Sequence, residues 1–112
     1  MANLFSLEGK NALITGASYG IGFNIAKAFV EAGIKNIIFN DINEAALERG
    51  LANYAEAGIT NVKGYVCDVT DEVAVKALVE KIHKDVGQID ILVNNAGIIK
   101  RIPMHEDRKS VV

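Results

Sequence analysis

A small set of glycines and polar residues in this sequence has the types and spacing needed to hold a phosphate-bearing ligand. In TGASYGIG, Gly16, Gly20 and Gly22 follow a G-x-x-x-G-x-G pattern between an apolar run and an amphipathic one. Glycines at such a junction permit a tight turn and close backbone approach. The unpaired amides and positive dipole end of the following helix could receive a pyrophosphate, with Ser18 adding a hydroxyl donor. Tyr19 and Ile21 belong to the same turn. The pattern differs from the G-x-G-x-x-G fingerprint, and a plain strand-to-helix turn would use the same glycines. Asp41 lies 19 residues beyond Gly22, where a dinucleotide fold places the carboxylate that holds the adenosine ribose hydroxyls. Taken alone it reads equally as a turn residue or a cap. Its charge opposes a 2′-phosphate and so favours NAD over NADP; neither Tyr19 nor Asn40 supplies a compensating positive charge. Asp68 suits the adenine amino group, with Val69 beside the ring, or else simply the turn before Thr70. Asn94 suits the bracing of adjacent strand ends, and the small Ala96 and Gly97 leave room for a ribose.

These residues need a scaffold that brings their positions together. Asn11–Thr15 reads as a buried strand, followed by a helix with Ile21, Ile25, Phe29 and Val30 at helical spacing and a stop at Gly33. Asn36–Phe39 reads as a second strand closed by Asn40 and Asp41. Asn43 caps a helix with Leu47, Leu51 and Tyr54 along one stripe, ending before Gly58. Val62–Cys67 is a third strand. Thr70 or Asp71 caps a helix carrying Val75, Leu78, Val79, Ile82 and Val86, which Gly87 stops, and Ile89–Val93 is a fourth apolar run. Strand and helix alternating three times before a fourth strand predict an α/β fold, a three-layer Rossmann-like parallel sheet. Every candidate site residue then falls at a strand's C-terminal end, where ligands of open α/β sheets lie. Beyond Gly97 the periodicity stops, so residues 1–97 read as the nucleotide-binding portion and 98–112 as a loop or tail.

The remaining composition narrows the function. A chain of 112 residues suits one domain, and its formal charge of −2 gives no reason to expect nucleic acid or a membrane surface as partner. It has no apolar run of membrane-spanning length, and MANLFSLEGK lacks a signal-peptide pattern, so a soluble cytoplasmic protein is expected. Cys67 is the single cysteine, which excludes an internal disulfide or a cysteine-rich metal site. His83 and His105 are isolated, and no metal site is expected. Lys100 and Arg101 read as solvated charge, or as neighbours of a substrate entrance.

Together, TGASYGIG, Asp41, CDV at Cys67–Val69 and NNAG at Asn94–Gly97 resemble the short-chain dehydrogenase/reductase family in order and spacing, from Leu7 through Gly97. The resemblance implies strand order 3-2-1-4, a dinucleotide-binding first turn, adenine contact by Asp68 and a sheet steadied by NNAG beside the cofactor. FSLEGK, YGIG, FNDI, GYVCDVTDE and NNAGIIKRIPM further resemble the branch of that family that interconverts gluconate and its 5-keto form. Members of that branch use NADP as well, so the resemblance leaves NADP open beside NAD. The family's catalytic Ser, Asn and Tyr-x-x-x-Lys all lie downstream of NNAG. Here Tyr19, Tyr54 and Tyr65 are followed at that offset by Phe23, Gly58 and Val69, so no catalytic residue is assigned. The resemblance implies the N-terminal NAD(P)-binding part of a sugar-acid oxidoreductase, catalytically incomplete by itself. The competing expectation is a structural module that self-associates through an open sheet edge after the fourth strand.

Overall fold

The computed structural model describes residues 6–95 and the backbone of Ser110–Val111. Strand β1 (Asn11–Thr15) leads through a glycine turn into α1 (Gly20–Glu31); β2 (Asn36–Asp41), α2 (Glu44–Glu56), β3 (Val62–Val66), α3 (Glu72–Asp85) and β4 (Ile91–Val93) follow. The sheet order is β3-β2-β1-β4-β5, where β5 is Ser110–Val111. All pairings are parallel, with Ile14 of β1 opposite Phe39 of β2 and Val93 of β4. The expected order 3-2-1-4 is therefore present. The edge of β4, expected to stand open, is paired at Ile91 and Leu92 by Ser110 and Val111.

The apolar runs have a physical explanation in the layering. β1 is buried along its whole length because it lies centrally with helices on both faces. On one face, Ala12, Ile14, Ile37 and Phe39 pack with Ala26 of α1 and with Leu47 and Tyr54 of α2. On the other, Leu13, Ile38 and Leu92 pack with Val75, Leu78, Val79 and Ile82 of α3. Each fully buried Ile or Leu in these layers stabilises by roughly 1.5–3 kcal/mol relative to exposure. β3 departs from the continuous apolar pattern: Lys63 and Val66 are exposed and Tyr65 is buried, as befits a strand with β2 as its neighbour and lying at the sheet's end.

Two helical stripes differ from their periodicity. Ile21, expected inward, is exposed, and α1 instead turns Gly22 and Ala26 to the sheet. Small residues there let the helix lie close to the strand it leaves. Leu51 is likewise exposed, while Ala46, Leu47, Gly50 and Tyr54 form the buried face of α2. β2 runs two residues further than the apolar run, through Asn40 and Asp41, and this extension carries Asp41 to the sheet's C-terminal edge.

Candidate functional site

Parallel strands bring their C-terminal ends to one edge, and the turn after β1 occupies the middle of it. Gly16 and Gly20 have φ of 65° and 67°, left-handed values that a side chain would strain. The Gly16 amide donates to the Asn40 carbonyl at 3.2 Å, tying the turn to β2. Gly22 serves a different need. A Cβ there would lie 2.7 Å from Asn95 Nδ2 and 2.8 Å from the Gly16 carbonyl oxygen, so the helix can sit over the turn only with glycine at this position.

Three successive carbonyls of the turn are held by side chains distant in sequence. Asn95 Nδ2 donates to Gly16 O at 3.1 Å, the Tyr54 hydroxyl to Ala17 O at 2.7 Å and Asn53 Nδ2 to Ser18 O at 2.8 Å. Helix α1 then begins with Tyr19 in extended geometry, no side-chain cap and no acid in its first turn. Tyr19 and Ile21, on either side of Gly20, are exposed. A helix start of this kind, reached through a turn with two left-handed glycines, fits an anionic group of the pyrophosphate type.

Asp41 lies beside this turn. The Ser18 hydroxyl donates to its Oδ2 at 2.5 Å, and the Ile42 amide donates to its Oδ1 at 2.8 Å. Ser18 is 1% exposed, so its proton orients the carboxylate of β2 instead of projecting from the turn. The carboxylate keeps lone pairs free for further donors, which suits a ribose diol.

A cleft of about 170 Å³ continues from Gly16 and Asp41 to the loop after β3. Ile42 and Val69 give it apolar walls, and Asp68 and Thr70 give it a polar rim. Sites for whole drug-sized ligands run to about 300–1,000 Å³, so this cleft suits one end of a dinucleotide. Asp68 Oδ1 accepts from the Thr70 hydroxyl at 2.6 Å and from the Thr70 amide at 2.9 Å. Those bonds, the hydroxyl's first, hold the Asp68 carboxyl below the usual aspartate range. Asn40 Nδ2 donates to the Cys67 carbonyl at 3.1 Å and clamps β2 to the chain after β3. Burial pushes the Cys67 thiol up, with the Asp68 and Asp71 charges adding to it, which suits a packed cysteine and not a nucleophile.

On the other side of the turn, the Thr15 hydroxyl is 3.5 Å from both the Val93 carbonyl and Asn94 Oδ1. Asn94 thus sits at the junction of β1 and β4. The structure brings Gly16, Ser18, Tyr19, Gly20, Ile21, Gly22, Asp41, Asp68, Val69 and Asn94 to the same edge of the sheet. Ala96, Gly97, Lys100, Arg101 and His105 lie outside the described residues. Sequence reasoning missed Asn53, Tyr54 and Asn95, which hold the turn, and Ile42 and Thr70, which shape the cleft. Asn95 and Ile42 adjoin residues already singled out; Asn53 and Tyr54 carry no local signal, because their partners are 35 and 37 residues away.

A parallel sheet with an uncapped first helix and an aspartate ending its second strand defines a dinucleotide-binding α/β protein. The chain belongs to the short chain dehydrogenase family, whose pattern matches residues 10–112. It is 42% identical over 114 residues to a 2-dehydro-3-deoxy-D-gluconate 5-dehydrogenase of Formosa agariphila, covering 98% of this chain and 43% of that protein. A crystal structure of 2-keto-3-deoxy-D-gluconate dehydrogenase from Streptococcus agalactiae superposes with TM-score 0.79 at 62% identity, covering 92% of this chain and 38% of that one. A gluconate 5-dehydrogenase from Burkholderia cenocepacia, in complex with NADP and tartrate, superposes with TM-score 0.71 at 39% identity, covering 82% and 35%. The chain thus spans about two fifths of the length of such relatives. Its site is a Rossmann-type NAD(P) site, and it is related to the gluconate and keto-gluconate dehydrogenases.

Proposed function

We propose that this chain is the cofactor-binding part of a sugar-acid dehydrogenase and that it takes NAD in preference to NADP. The observation that carries the preference is the Asp41 carboxylate, oriented by Ser18 beside the uncapped start of α1. In this reading the amides at Gly20–Gly22 receive the pyrophosphate and Asp41 accepts from the adenosine ribose hydroxyls. Asp68 accepts from the adenine amino group, between the apolar walls of Ile42 and Val69. Asn94 braces the adjacent strand ends, and the small Ala96 and Gly97 leave room for a ribose. A relative at 39% identity holds NADP, so the choice between the cofactors falls to local residues. Here a 2′-phosphate would meet the Asp41 charge.

The bound cofactor would supply hydride chemistry, exchanging a hydride with the carbon that bears the hydroxyl of gluconate or the carbonyl of its 5-keto form. Relatives named for 2-keto-3-deoxy-D-gluconate keep the substrate in the same sugar-acid class. The chain's own residues bind and orient the cofactor; no tyrosine among the 112 residues has a lysine four positions on, so the family's proton-transfer pair is not in this chain.

Titration of the purified chain with NAD, NADP and ADP-ribose tests the assignment. Saturable binding with NAD tighter than NADP supports it, and tighter NADP binding overturns the role given to Asp41. Mixing with NAD(P) and gluconate is expected to give no substrate-dependent change in nicotinamide absorbance. Light scattering in the same titration reads self-association; assembly without any nucleotide binding would favour the structural module instead.

A further inference from the structure

We propose that Asn53 and Tyr54, adjacent residues of α2, are positioning residues that hold the glycine turn in its anion-receiving shape. This rests on the reading of that turn as the pyrophosphate site. Both residues act through backbone carbonyls: Asn53 donates to Ser18 O at 2.8 Å and Tyr54 to Ala17 O at 2.7 Å. A trans peptide is planar, with its N–H opposed to its C=O. Drawing the Ala17 and Ser18 carbonyls toward α2 therefore turns the Ser18 and Tyr19 amides away from it.

The anchor is stiff. The Tyr54 ring lies between Phe23 of α1 and Phe39 of β2, with centroids 4.8 and 5.0 Å away, and it is 0% exposed. Burial raises its phenol well above the ordinary tyrosine range, so it remains a donor at working pH. Gly50, one turn earlier on α2, lets the helix approach: a Cβ there would lie 2.7 Å from Ser18 Oγ. Ala17 is 0% exposed, so its carbonyl has no route to solvent if Tyr54 lets go. Helix α2 thereby sets the turn before any ligand arrives, which lowers the ordering cost of binding.

ADP-ribose titrated calorimetrically into the chain and into N53A, Y54F and Y65F tests this. Y65F is the matched control, since Tyr65 donates to Asp85 at 3.1 Å from the opposite face of the sheet. N53A and Y54F, which remove the donors without adding charge, are expected to weaken ADP-ribose about five- to tenfold, the worth of one hydrogen bond, while Y65F stays within about twofold. In 15N-labelled chain, the Tyr19 and Gly20 amide resonances should shift in N53A and stay in place in Y65F. Each variant is first checked for native circular dichroism, and Y54F carries the comparison with Y65F should N53A not fold. Equal weakening in all variants, or none, overturns the proposal while leaving the site intact. Failure of the unaltered chain to bind ADP-ribose overturns the site reading and this proposal together.

Discussion

Helices α1 and α3 both leave the C-terminal edge of the sheet, yet they begin in opposite ways. At α3 the Asp71 carboxylate accepts from the Val73 and Ala74 amides at 3.0 and 3.2 Å, and Glu72 adds negative charge to the first turn. At α2, Asn43 does the same for Ala46 at 2.8 Å, with Glu44 beside it. At α1 no side chain caps and no acid follows. Every helix start presents amides with no intrahelical partner. Two helices here satisfy them from their own chain, and the one that follows the glycine turn leaves room for an anion from outside. The contrast teaches that the unusual feature is a missing interaction, supported by an unusually well-held turn beneath it.

The largest expected break comes from Gly22→Val. Its side chain would meet Asn95 and the Gly16 carbonyl within van der Waals distance, and overpacking of this kind costs roughly 1–3 kcal/mol. Because the displaced atoms form the turn itself, ADP-ribose binding should be lost in calorimetry while circular dichroism still shows a folded α/β chain. A weaker but more telling change is Tyr19→Asp, which gives α1 the cap that α3 has. The unliganded chain should gain about 0.5–1 kcal/mol in urea unfolding. Nucleotide affinity should fall, because the new carboxylate competes for the same amides and repels the pyrophosphate. Gain in both stability and affinity would show that the bare helix start has no anion to receive. The reverse experiment, Asp71→Ala, should cost about 1 kcal/mol of stability with NAD affinity unchanged.

Much of this arrangement is legible in the sequence because it depends on local types. Apolar runs at Asn11–Thr15 and Asn36–Phe39 mark strands buried on both faces, and glycines at 16, 20 and 22 mark where the chain must turn. Parallel topology then places Asp41, Asp68 and Asn94 on a common edge. Periodicity misleads at Ile21 and Leu51, because each helix makes its close approach through the adjacent glycine, Gly22 or Gly50, which leaves the neighbouring large side chain outward. It is silent on Ser18, whose proton goes to a carboxylate 23 residues away, and on Asn53 and Tyr54. Long-range hydrogen bonds to backbone carbonyls leave no pattern in spacing; they exist only once α2 has docked.

The smallest expected effect concerns the loop before α3, where the chain again satisfies its own polar groups. Thr70 donates from both hydroxyl and amide to Asp68, and the carboxyl is held below the usual aspartate range. The folded value is depressed, so the stabilisation is complete above the unfolded aspartate value of about 3.9 and fades as pH falls through the lower folded value. Thr70→Ala removes the hydroxyl's bond and should move the Asp68 midpoint upward in a carboxyl NMR titration. Melting curves of the two proteins should therefore differ slightly at neutral pH and converge in strong acid. Asp68 is fully exposed, so solvent screens the interaction and the gap should be the smallest of the series. A midpoint unmoved by Thr70→Ala would mean that the loop backbone alone orders Asp68. The contrast with α1 would then be sharper, since the rim of the cleft would keep its shape without help from any side chain.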